Sequence, residues 1–395
     1  MNDNERTQLV ETALTGDPVA LARLLVSIPS VNPVLSPGGA GEAEIASQCA
    51  EILNAWGFSV DVVEAKPGRP NVIARLAGDG PTLLLNGHID TVGVEGMSIP
   101  PWTPSVVDGR LWGRGSCDMK GGVAALMAAA HRLAREGARP NLLVALTADE
   151  EHASVGMADL VSGVDPIADL AIVCEPTSLD VMPAHKGFVW LEATFRGRAA
   201  HGSRPEVGID AIRHAALYLT GLDRYAEELR QRPAHPLLQY GSFHAGTIQG
   251  GSAESVYPEL CTLLLERRTM PGETGEDVHA EFAAVLAAVG GDHSEMNARI
   301  DTTLVRPGTE VSTDHRLVTG LVSAAETVGV HAGVEGMTAW VDAAFLNESG
   351  VPAVCFGPGS IEQAHTADEW IAVDEIGQCA DVLERFAREL VTDSA

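Results

Sequence analysis

Leu83-Leu-Leu-Asn-Gly-His-Ile-Asp-Thr-Val92 is an apolar run that ends in a His-x-Asp pair. Its length and character predict a buried strand, and in open α/β sheets ligands bind beyond the carboxyl ends of strands. His88 and Asp90 thus stand where a site is expected. Along an extended chain alternate side chains share a side, so Asp90 is placed to accept the second ring N–H of His88 and turn the imidazole toward a metal. A single His-x-Asp is more often an ordinary polar strand end, and its meaning depends on its surroundings.

Outward from this run, Asn71–Leu76, Asn141–Thr147 and Leu170–Cys174 also read as short apolar strands, and a helix is expected from Gly121 toward Gly137. The alternation predicts an α/β domain with a mixed, mostly parallel sheet flanked by helices. Around Gly187 the pattern changes. Phe188–Phe195 alternates like an antiparallel strand, Gly208–Leu229 and Gly275–Val289 read as helices, and strand-like runs lie near Ala253 and over Leu260–Arg267. That set suits an inserted α+β domain of ferredoxin-like type. From Val305 helix and strand alternate again, with a strand over Val351–Phe356 and a closing helix over Asp374–Val391. The expected organisation is a catalytic domain over 1–186 and 305–395, interrupted by a lid over 187–304.

A chain of 395 residues is long enough for two cores, and 45% apolar with 20% charged residues suits a folded protein rather than a disordered one. The formal charge of -28 argues against nucleic acid and anionic membrane as partners. Met1-Asn-Asp-Asn-Glu-Arg-Thr lacks the basic and apolar regions of a secretory signal, and no apolar run reaches the ~18 residues of a membrane span. A cytoplasmic location is expected. The six scattered cysteines show no Cys-x-x-Cys spacing and read as free, mostly buried thiols.

Four further segments carry chemistry. Gly113-Arg-Gly-Ser-Cys-Asp-Met-Lys-Gly-Gly sets Asp118 among glycines before a helix, where it could serve as a cap or as a bridging carboxylate. The Asn141–Thr147 strand runs into Ala148-Asp-Glu-Glu-His. Such an acidic run can be a solvated helix start. A metal site uses it differently, with one carboxylate as ligand and its neighbour as base toward a metal-bound water. Glu175 follows another apolar strand, and His365 follows the loop Phe356-Gly-Pro-Gly-Ser. Together, five strand ends or loops supply nitrogen and oxygen donors suited to zinc or a similar ion.

In this order the motifs resemble the acetylornithine deacetylase, succinyl-diaminopimelate desuccinylase and glutamate carboxypeptidase family of dinuclear metallohydrolases, over almost the whole chain. The resemblance implies two divalent ions per chain, zinc first, with cobalt or manganese as alternatives. His88 and Glu175 would hold one ion and Glu151 and His365 the other, with Asp118 bridging. It also implies Glu150 as general base and Asp90 as the partner of His88. Ala199-Ala-His-Gly-Ser-Arg-Pro implies that His201 polarises the scissile carbonyl, often in the partner subunit's site. Leu265-Glu-Arg-Arg-Thr-Met-Pro-Gly-Glu implies that Arg268 grips the substrate carboxylate, for which a guanidinium is suited. A lid of this size implies a homodimer. Ser255 stands where many relatives carry Asn, which separates substrate choice from the metal-site pattern.

The expected activity is hydrolysis of an N-acyl amino acid, with release of a C-terminal amino acid by a metallocarboxypeptidase or dipeptidase as the alternative. A non-catalytic metal-binding protein on the same scaffold has no need to retain Glu150.

Overall fold

The computed structural model describes residues 3–137, 139–163 and 167–392. The chain forms two compact units. One comprises Met1–Pro183, Val311–Glu335 and Val341–Ala395; the other comprises Ala184–Glu310 and Gly336–Trp340. The second unit thus begins three residues before the expected 187, ends six after the expected 304, and takes in a short later segment.

The first unit is built on a mixed sheet. Its spatial order is Ser59–Lys66, Arg69–Leu76, Asn141–Thr147, Thr82–His88, Leu170–Val173, Ala353–Cys355 and Val181–His185, the last strand passing into the second unit at Ala184. The four middle strands are parallel, and antiparallel strands pair at both margins. Leu83, Leu84 and Leu85 are all buried, as central parallel strands covered on both faces require. Each such side chain contributes roughly 1.5–3 kcal/mol of burial. Leu83 and Leu85 belong to the core that includes Val123, Leu126 and Ala130 of the Gly121–Ala134 helix. The Val373–Thr392 helix adds Ile376, Leu383 and Phe386 to the same core.

The second unit is a four-stranded antiparallel sheet in the order Ser242–Gly250, Leu260–Thr269, Gly187–Arg196, Asn297–Arg306. Helices Ala211–Gln231 and Gly275–Asp292 cover one face, where Val189, Leu191, Phe195, Leu263 and Leu265 pack with Tyr218 and Phe282. A Thr274–Asp277 capping box starts the second helix. The opposite face is open, with Trp190 and Leu264 each 43% exposed.

Two expectations need correction here. No strand forms at Ala253, which lies in a turn region; the strand is Ser242–Gly250. The strand Asn297–Arg306 was not anticipated. Both are edge strands exposed along most of their length, so neither carries the buried alternation from which strands are read. Among the described residues no helix is long and apolar enough to cross a membrane.

Candidate active site

Parallel strands in register bring the first ligand candidates level. His88 pairs with Thr147 and Asn86 with Val173, so the turn that starts at Ala148 and the segment carrying Glu175 leave the sheet beside His88. Asp118 arrives on the loop before the Gly121–Ala134 helix, and His365 follows a 3-10 turn, Ile361–Gln363. Asp118 does not cap that helix: the cap residue is Lys120 and no side chain closes the end. Its carboxylate is turned instead to two imidazoles, with Oδ1 3.0 Å from His88 Nε2 and Oδ2 3.4 Å from His365 Nε2.

Two groups of donor atoms result, each within 4.8 Å of one another: His88, Asp118 and Glu175 in the first, Asp118, Glu151 and His365 in the second. Asp118 belongs to both. His365 Nε2 is 3.0 Å from Glu151 Oε2, and Glu150 Oε2 lies 4.0 Å from His88 Nε2 without belonging to either group. His365 sits at φ +62, a backbone region uncommon for residues other than glycine.

His88 Nδ1 is 3.1 Å from the main-chain oxygen of Asp90, a contact that fixes the N–H there and leaves Nε2 facing the donor group. The expected carboxylate partner is farther, with Asp90 Oδ1 3.6 Å away. That carboxylate is occupied elsewhere: Oδ1 accepts the Glu150 amide at 3.1 Å, and Oδ2 accepts the Glu151 amide at 3.3 Å and Asn32 Nδ2 at 2.8 Å. Asp90 therefore holds the acidic turn as well as the histidine. Asn32 also donates to Asp149 Oδ1 at 2.9 Å, and Arg69 spans Asp149 at 2.7 Å and Glu42 at 2.8 Å. The Asp118 loop has its own clamp. Glu369, fully buried, accepts the amides of Gly115, Cys117 and Asp118 at 2.9, 2.8 and 3.1 Å and the Arg114 guanidinium at 2.7 Å.

Burial and mutual charge shape the protonation of the cluster. Burial pushes Glu150 well above the ordinary carboxylate range and Glu175 up to about 8, with His88 opposing both shifts. Glu151 is also raised, by burial and then by Asp118. Burial works against the Asp118 carboxylate too, but hydrogen bonds from His365 and His88 prevail and hold it below its usual range. Its bond to Asp118, then that to Glu151, raises His365 to about 10. Burial opposes charge on His88, yet Asp118 and the field of Glu175 and Glu150 push it up.

The donors fit divalent cations. Glu151 Oε1 and Glu175 Oε1 are buried without a hydrogen-bond partner, and four carboxylates crowd two imidazoles. A cation held by these residues would satisfy those oxygens and relieve the repulsion.

The other two candidates belong to the second unit. His201 is exposed, its Nδ1 2.8 Å from Ser203 Oγ, and its backbone bridges to Val256 beside Ser255. Arg268 is half-buried, with Nε 2.8 Å from Glu266 Oε1 and its guanidinium 5.4 Å from the Phe188 ring centre. Reasoning from sequence missed Asn32, Glu42, Arg69, Asp149, Arg114, Glu369 and Asp342. Asp342 is fully buried, accepts from Thr147 Oγ1 at 3.2 Å, and is raised to about 7 by burial. For Glu369 a signal existed, since it shares the short His365–Trp370 segment with a ligand candidate; for Asn32 and Arg69 there was none, because both come from distant segments.

Residues 84–389 match the model of peptidase family M20/M25/M40. The chain is 30% identical over 372 residues to the acetylornithine deacetylase of Vibrio atlanticus, covering 92% of this chain and 96% of the relative. To the acetylornithine deacetylase of Myxococcus xanthus it is 32% identical over 346 residues, covering 84% and 88%. The fold is that of a dinuclear metal-binding M20-family peptidase from Bacillus subtilis, with TM-score 0.74 at 17% identity over 96% of this chain and 99% of that one. The chain belongs to peptidase family M20/M25/M40.

Proposed function

We propose that this member of peptidase family M20/M25/M40 hydrolyses the amide bond of an N-acylated amino acid with two divalent cations per chain. His88, Asp118 and Glu175 hold one, and Asp118, Glu151 and His365 the other. The observation that carries the reading is Asp118, shared by both donor groups, with Glu150 beside them and in neither. When bound, such cations acidify water and polarise the scissile carbonyl.

The chain's own residues do the rest. Glu150 takes the proton of the attacking water and returns it to the leaving amine, a role favoured by burial that raises its proton affinity. Asp90 holds the amides of Glu150 and Glu151 so that base and ligand keep fixed separate positions. His201 supplies a hydrogen bond to the developing oxyanion, within its own chain or across a dimer. Arg268 holds the substrate carboxylate, with Glu266 on its Nε fixing the fork.

Zinc is the first choice of cation, with cobalt or manganese as alternatives, because the donors are imidazole and carboxylate. Homodimerisation through the second unit is supported by its edge strand Ser242–Gly250, exposed over almost all of its length. Six free, buried cysteines support a cytoplasmic location. Release of a C-terminal amino acid is the second reading, favoured by the family's peptidases and by the same need for Arg268. A panel of N-acetyl and N-succinyl amino acids and dipeptides, run on metal-loaded protein, tests the choice. Turnover of the N-acyl series above the dipeptides supports the deacylase; the reverse order supports the peptidase.

A further inference from the structure

The four strands of the second unit place one row of side chains across its open face. Ser242 pairs with Arg268, Arg268 with Phe188, and Phe188 with Arg306. Around Phe188 gather two further rings and two guanidiniums. Trp190 lies 5.2 Å away and Trp340 meets it edge-on at 6.0 Å, while Arg268 stacks over Phe188 and Arg306 lies 5.6 Å from the Trp340 ring. Trp190 Nε1 donates to Glu266 Oε2 at 2.8 Å, so the acid that fixes Arg268 also fixes the indole. Lys186 adds a third cation, its proton affinity lowered by burial and then by Arg268 and Arg267.

This arrangement exceeds what a carboxylate grip needs. A carboxylate held by Arg268 puts the α-carbon one bond beyond it, beside the Phe188 ring that Trp340 adjoins edge-on. A groove of about 280 Å³ continues along the same face, lined by Trp190, His244, Thr247, Leu264, Glu266 and Thr303. Aromatic faces gain from apolar or aromatic surface. A cationic side chain such as that of ornithine meets Lys186, Arg268 and Arg306, with Glu266 already paired to Arg268.

We propose that Phe188 and Trp340 form a specificity wall that selects amino acids with an aromatic or large apolar side chain over those with a cationic one. The proposal rests on the deacylase reading and on Arg268 as the carboxylate grip.

The test compares N-acetyl-L-phenylalanine, N-acetyl-L-alanine and N-acetyl-L-ornithine on metal-loaded enzyme. The phenylalanine derivative is expected to exceed the ornithine derivative in kcat/KM by at least about tenfold. Trp340→Ala should lower the phenylalanine-to-alanine ratio about tenfold, mainly through KM, and Trp340→Phe should restore most of it. Equal or better turnover of the ornithine derivative overturns the proposal, as does a ratio that neither Trp340→Ala nor Phe188→Ala moves. Hydrolysis without these preferences leaves the deacylase reading intact and removes only the wall. No hydrolysis of any of the three, with two cations bound, removes both.

Discussion

The donor cluster of the first unit and the open face of the second solve opposite problems. In the first, His88, Asp118 and Glu175 are buried, and separate carboxylates clamp the loops that carry Asp118 and the acidic turn. In the second, Arg268 is half-buried and Trp190 is 43% exposed, and the face rests on a few cross-strand contacts. Chemistry that depends on sub-ångström placement sits on ordered loops at strand ends. The recognition proposed for the open face would sit where a side chain can change without disturbing that placement. Substitutions in the first unit should therefore alter kcat and metal affinity, and those on the open face KM.

The largest expected effect is that of Glu150→Gln. It keeps size and hydrogen bonding but removes the proposed base, so kcat should fall by about a hundredfold to ten-thousandfold while the metal content stays that of the unsubstituted protein. Metal analysis beside steady-state kinetics checks both parts. Loss of metal in Glu150→Gln and its retention in Glu151→Gln would exchange the roles of the two residues and break the comparison at its centre.

His185 sharpens the contrast from the other side, as a buried titratable group in the second unit. Its Nδ1 donates to the Lys186 main-chain oxygen at 3.2 Å, its Nε2 accepts from Thr309 Oγ1 at 2.8 Å, and burial lowers its pKa to about 4 from an ordinary 6.5. The unfolded chain binds this proton more readily, so the contribution to stability is complete above pH ~6.5. It is lost as pH falls toward ~4, a gap of roughly 3 kcal/mol at most. Urea titrations at several pH values should show a shallower acid loss for His185→Gln than for the unsubstituted protein. Parallel curves would remove His185 as a source of acid sensitivity.

Glu369→Gln places a donor among four donors, so the Asp118 loop should lose its hold. Metal affinity is expected to fall about ten- to a hundredfold, the range found when residues behind metal ligands are removed. Calorimetric titration of metal into the metal-free variant measures this without reference to turnover. In an Asp118→Asn background the same change should add little, because Glu369 acts through Asp118; full additivity would give Glu369 a merely structural part. The smallest effect is that of Arg268→Lys, which keeps charge but loses the planar fork. KM should rise about tenfold with metal content unchanged. A change in metal content there would blur the division between the two units.

Sequence reading reached the two-unit plan and the parallel centre because Thr82–His88, Asn141–Thr147 and Leu170–Val173 are short apolar runs bounded by polar turns. All five ligand candidates follow such runs or glycine-rich loops, and the structure draws them together. Edge strands were harder, because Ser242–Gly250 and Asn297–Arg306 bury little and carry no periodic apolar signal. The clamps were harder still. Asn32, Arg69 and Glu369 reach the site from segments 58, 80 and 251 residues from partners they bind, and nothing local to them marks a buried hydrogen bond. For Asp90, spacing shows which side the residue faces and not that its main-chain oxygen meets His88 while its carboxylate accepts the amides of Glu150 and Glu151.

The central claim is that Asp118 joins two donor groups into one two-cation centre. Elemental analysis of the purified protein and of Asp118→Ala, after equilibration with zinc and removal of free metal, tests it most directly. The account predicts about two ions per chain in the first. In Asp118→Ala at least one should be lost and turnover should collapse. Unchanged stoichiometry in Asp118→Ala, or full activity of the unsubstituted protein with no bound metal in excess chelator, would contradict it.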